Sequence, residues 1–182
     1  IIMAAIIFSS WAVRGWFPFY LIIGLGVLSW ILAAAIVWFY PQRKSFIRQP
    51  LISSIMGVLI IWSAWATLLM IRIELPDVGA YLIFWILLLV ASADVGAFFS
   101  GRRFGTRLLA PLVSPGKTWE GVFGGVLIAS AVCGSVLWFL DYPLIWWLYV
   151  AILSAISVVG DLFESVLKRE RGVKDSGYLL PG

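Results

Sequence analysis

The chemistry-bearing residues crowd into one short stretch, 160–182, which packs four acidic and four basic side chains directly behind an apolar run. Charge that close to hydrocarbon is costly, so it marks a site more often than a surface. Asp161, Glu164, Ser165 and Lys168 are spaced 3, 4 and 7 residues from the first, which puts them along one face of a helix. Two carboxylates one turn apart can share an oxygen-liking cation such as Mg²⁺. The bland alternative is an ordinary helix end with intrahelical Glu–Lys pairs. Lys174, Asp175, Ser176 and Gly177 add polar groups just after Gly172, a natural helix stop. Acids suited to a metal and bases suited to phosphate point to chemistry on a phosphorylated substrate at a bilayer surface.

Two other sets share this character. Asp94 lies inside an apolar run among Ala91, Ser92, Ala93, Gly96 and Ala97. An intramembrane acid is a site hypothesis by default, and small neighbours leave room for a helix or a ligand; the alternative is a buried carboxylate bonded to a Ser or to backbone. The segment from Ser100 to Gly121 holds Arg102, Arg103 and Arg107, then Ser114, Gly116, Lys117 and Thr118 just ahead of an apolar run. Gly-Lys-Thr before a helix hints at a phosphate loop, but the position of the first Walker glycine is Pro111 and no strand is expected ahead of it. A helix N-terminus with Lys117 nevertheless makes an anion site, to which Ser114 and Thr118 could donate. A merely topogenic basic loop is the competing view.

The elements that must position these groups are membrane spans. Of the 182 residues 63% are hydrophobic and only 12% charged, where a soluble domain carries about a quarter; the mean hydropathy is +1.05. Apolar runs reach the roughly 20 residues needed to cross a bilayer. The expected fold class is all-α, a polytopic transmembrane bundle of about five complete spans near 16–40, 51–71, 80–100, 119–140 and 143–160, after a partial span over 1–13. The last helix is expected to continue to about Arg171. Segments 41–50, 101–118 and 168–175 hold eleven of the 13 basic residues and fall on one side if spans alternate, the cytoplasmic side by the positive-inside rule. Residues 1–92 read as N-terminal spans and 93–182 as the catalytic membrane region. Gly121-x-x-Gly124-Gly125 and Gly24-x-Gly26 suit close helix packing. The lone Cys133 excludes an intrachain disulfide, and with no His a zinc cluster is excluded too. Net charge +4 fits cytoplasmic loops and anionic lipid or nucleotide partners rather than nucleic acid. An Ile start and a Leu-Leu-Pro-Gly end read as a piece of a longer protein.

These residues resemble the bacterial phosphatidate cytidylyltransferases (CDP-diacylglycerol synthases). The likeness rests on Ala93–Ala97, on Phe104-Gly105 through Ser114–Gly121, and on Gly160-Asp161 through Gly182, where Ser165, Lys168, Arg169, Lys174, Asp175, Ser176 and Gly177 match the family signature. The family continues with His-Gly-Gly and an Asp-rich stretch beyond the Pro-Gly that ends this chain. The resemblance implies that CTP and phosphatidic acid give CDP-diacylglycerol and pyrophosphate. It implies Mg²⁺, alone or with a second cation, and a membrane-lipid setting, the bacterial cytoplasmic membrane with the site facing the cytoplasm; a homodimer is compatible with it. Asp161 and Glu164 would then be metal ligands. Asp161, Lys168, Asp175 and Asp94 would be catalytic, and Ser114, Lys117, Thr118, Arg169, Lys174 and Ser176 would hold substrate. The rival is a transporter that uses Asp94 and Asp161 as a cation or proton path, but polar residues are too sparse in the spans to favour it.

Overall fold

A computed structural model describes residues 19–40 and 49–172. The expected partial span 1–13, the basic segment 41–48 and everything after Gly172 lie outside the described residues. The described residues form five helices: α1 (Phe19–Phe39), α2 (Pro50–Glu74), α3 (Gly79–Phe104), α4 (Trp119–Phe139) and α5 (Ile145–Glu170). They match the expected spans to within a few residues, and α5 runs on as anticipated. Four of them, α2 to α5, are long and apolar enough to cross a membrane, and α1 is apolar along its described length. Only 17–28% of the most apolar window of each of those four is buried inside the protein. The rest, including Phe84 and Phe123, would be an aggregation hazard in water and is at home against acyl chains. The fold is a polytopic helical membrane bundle.

Local chemistry sets the ends. Pro50 occupies the first position of α2, where its missing N–H costs nothing. The Thr118 side chain caps α4 by accepting from the Gly121 amide at 3.1 Å. Gly172 takes φ +67° just past α5, the left-handed closure that glycine adopts freely. Many hydroxyls inside the spans turn back onto their own helices, as Ser154 does onto Val150 O at 2.8 Å, which satisfies them away from water.

The most extensive packing joins α3 to α4, and small residues make it possible. A Cβ added at Gly96 would lie 3.0 Å from Gly125 Cα, and one at Gly125 would lie 2.7 Å from Ala93 O. Gly121 likewise faces Ala97 O. The Gly121/Gly124/Gly125 pattern therefore does what its spacing suggests. The Gly24-x-Gly26 pattern does so only at Gly26, which meets Ser63 of α2, while nothing lies within 4 Å of Gly24. On the far side of α5, Gly160 faces Trp30 of α1, and Phe163 packs with Ala33 and Met56.

The segment expected as a plain loop folds into an antiparallel hairpin, β1 (Leu108–Ala110) and β2 (Ser114–Thr118), with Leu108 opposite Thr118 and Ala110 opposite Ser114. It is pinned at both ends. At its tip Val113 is buried against Leu162 and Val166 of α5, and Arg169 Nε donates to Val113 O at 3.1 Å. At its base the Glu120 carboxylate accepts from Thr106 N, Thr106 Oγ1 and Arg107 N at 2.7–3.3 Å. Val113→Ala should therefore lower stability by about 1–2 kcal/mol, measurable as a lower thermal midpoint in detergent. Arg171 also donates to Ser53 Oγ at 2.7 Å, so the ends of α3 and α5, the starts of α2 and α4 and the hairpin gather at one end of the bundle. That end carries Arg102, Arg103, Arg107, Lys117, Lys168, Arg169 and Arg171, the one-sided distribution that the charge pattern foretold.

Candidate active site

At this basic end a cavity of about 450 Å³ opens between α3 and α5, with α4 and the end of β2 completing its wall. Its polar lining is Asp94 and Arg102 from α3, Lys117 and Thr118 from β2, and Ser154, Ser157 and Asp161 from α5. The remainder is glycine, alanine and valine with Phe98. The α3–α4 seam explains the placement. Ala93 and Gly96 are buried against α4, and beside this seam Ala93, Asp94, Ala97, Phe98, Gly101 and Arg102 line the cavity from α3. On α5, Ser154, Ser157 and Asp161 recur at the helical period and share a face.

Lys117 and Asp161 form an ion pair across the cavity. The Lys117 Nζ atom is buried and, Asp161 apart, meets no hydrogen-bond acceptor among the described residues. Asp161 itself is about half exposed, its side chain 53% accessible. Asp94 lies near enough to feel both charges. Two carboxylates thus face one space from opposite helices, with a lysine between them in charge. Among the described residues no three acids gather to cage a metal, so any cation here would share two carboxylates with water and ligand oxygens, the usual arrangement for Mg²⁺.

The other expected site residues are distributed differently. Glu164 does not line the cavity; it pairs with Lys168 at 3.0 Å, the intrahelical pair of the bland alternative. Arg169 is spent on Val113 O. Ser114 lies at the far end of β2, opposite Ala110 and outside the cavity lining. Thr118 reaches the cavity but uses its oxygen as the α4 cap. The amides at the start of α4 are similarly engaged: Trp119 N donates to Arg107 O at 2.9 Å and Gly121 N to Thr118. The helix terminus thus bonds its own protein, and Lys117 and Arg102 are the cavity's cations. Lys174, Asp175 and Ser176 lie outside the described residues. Arg102 stood out only as part of the basic segment 101–118, and Ser154 and Ser157 did not stand out at all. The missed signal is periodicity: Asp94, Phe98 and Arg102 are 4 residues apart, and α3 continues past residue 100.

The sequence profile of the Cytidylyltransferase family matches residues 1–182. The chain belongs to the cytidylyltransferase family. Curated relatives named phosphatidate cytidylyltransferase include that of Haemophilus influenzae, 40% identical over 165 residues, covering 84% of this chain and 57% of the relative. That of Pseudomonas aeruginosa is 41% identical over 162 residues, covering 87% and 59%. That of Helicobacter pylori is 46% identical over 109 residues, covering 58% and 40%. This cytidylyltransferase-family chain therefore spans less than three-fifths of the length of the relatives it matches. No solved structure matches it.

Proposed function

We propose that the protein containing this chain transfers the cytidylyl group of CTP to phosphatidic acid. The observation that carries the reading is the cavity in which Asp94, Lys117 and Asp161 meet at the basic end of a membrane bundle; the names of the relatives supply the substrates. In the reaction a phosphate oxygen of phosphatidate attacks the α-phosphorus of CTP. A new P–O bond forms, the bond from the α-phosphorus to the bridging oxygen breaks, and pyrophosphate leaves with the electron pair. The phosphatidate phosphate is already an anion near pH 7, so no strong base is needed. Charge neutralisation and in-line positioning are.

Lys117 holds positive charge at a buried atom, where a phosphoryl oxygen would find it little screened. Asp94 and Asp161 would hold Mg²⁺ through hard oxygen donors, and the bound ion supplies charge neutralisation to the phosphoryl oxygens and the leaving pyrophosphate. The cavity end is taken to face the cytoplasm of a bacterial inner membrane, where its basic residues belong.

The test is cytidylyl transfer by the full-length protein in phosphatidate-containing micelles with Mg²⁺ and labelled CTP. Labelled CDP-diacylglycerol with one equivalent of pyrophosphate is the expected result. A folded protein that makes neither would overturn the reading.

A further inference from the structure

Arg102 has no part in the mechanism above, yet it lines the cavity. It sits eight residues beyond Asp94 on α3, about 12 Å further along the axis toward the basic end. Its Cζ lies 5.9 Å from the centroid of the Phe98 ring, a stacking that holds a guanidinium in place at little cost in hydration. Among the described residues no carboxylate pairs with it, whereas Lys117 is engaged by Asp161. Phe98 also lines the cavity and is 59% exposed on a membrane-spanning helix, so one edge of the cavity borders acyl chains. Complementing the helix C-terminus does not account for this placement, because Arg103 serves that end equally and lies outside the cavity lining.

We infer that Arg102 binds the phosphate of the lipid substrate, the phosphomonoester that arrives with its chains on the Phe98 side, while Lys117 serves the nucleotide. A guanidinium suits this role because its planar fork grips a phosphate bidentately. Its height on α3 is that of a headgroup whose chains lie beside Phe98. The inference rests on the cytidylyltransferase reading for the identity of the second phosphate.

The test is steady-state kinetics of the full-length protein with Arg102→Gln, Arg102→Lys and, as a charge-matched control, Arg103→Gln. Losing a charged hydrogen-bonding partner should raise the half-saturating mole fraction of phosphatidate at least about tenfold in Arg102→Gln. The KM for CTP should stay within about twofold. Arg102→Lys should fall between, and Arg103→Gln should match wild type. A rise confined to the KM for CTP, no change in either, or an equal effect from Arg103→Gln would overturn the inference. A second arm needs no turnover. With EDTA and without CTP, dioctanoyl phosphatidate should raise the thermal midpoint of wild type more than dioctanoylglycerol or glycerol 3-phosphate does, and Arg102→Gln should lose that difference. If wild type makes no CDP-diacylglycerol, the proposed reaction fails while this arm still decides on Arg102: a shift kept by Arg102→Gln, or matched by glycerol 3-phosphate, overturns it.

Discussion

Asp161→Asn in the full-length protein is expected to lower cytidylyl transfer by about 10²–10³-fold, the range seen when one preorganised electrostatic group is removed, with little loss of stability. The two effects separate for a physical reason. The Asp161 side chain is 53% exposed, so its charge is partly screened by solvent, and an amide oxygen at the same position can still accept from the buried Lys117 Nζ. A phosphoryl group in the same space would depend on the few charged groups there, because the rest of the wall is mostly glycine, alanine and valine. The substitution keeps the shape and removes the charge that would hold a cation opposite Asp94. Lys117→Met should give a loss of similar order. The double substitution should fall well short of the product of the two, because both residues act on one reacting phosphate. Product formation together with a thermal melt checks the claim. A variant that loses activity and thermal midpoint in parallel would show that Asp161 is structural.

The second large effect is on the fold. Gly125→Leu should leave little folded protein, since its Cβ alone would stand 2.7 Å from Ala93 O, a backbone atom that cannot rotate away. Helix α3 would have to shift bodily, at a cost at or above the about 3 kcal/mol end of overpacking penalties. Asp94, next to Ala93, would move with it. Gly24→Ala is the control: nothing lies within 4 Å of Gly24, so the change should be neutral or gain up to about 1 kcal/mol of helix propensity. Yield of monodisperse protein and thermal midpoint report both. Equal behaviour of the two variants would sink the seam argument.

What could be read from the sequence was what depends on local pattern. Span positions follow from apolar run length, the stop at Gly172 from one glycine, and the shared basic end from charge. Asp94, Lys117 and Asp161 stood out because charge near hydrocarbon is rare. What stayed hidden depends on pairing across the chain. Leu108–Ala110 is too short to show a strand period, and Ser-Pro-Gly-Lys-Thr is poor strand material by composition. It pairs because Val113 and Glu120 fix it at both ends. Glu164 looked like a ligand by its spacing from Asp161, yet its nearest cation is Lys168, on its own helix. Arg102 looked topogenic because the span was expected to end at residue 100, whereas α3 runs to Phe104.

Among the described residues, α1 and α2 contribute none to the cavity wall, yet one of them sits a single peptide unit from its carboxylate. Gly160 lets Trp30 of α1 approach so closely that a Cβ there would stand 2.8 Å from the indole, and the next residue is Asp161. Helix α5 therefore carries the indole contact on one face and the cavity groups on the other. Any residue larger than glycine at position 160 would press on that indole and displace the backbone that carries Asp161.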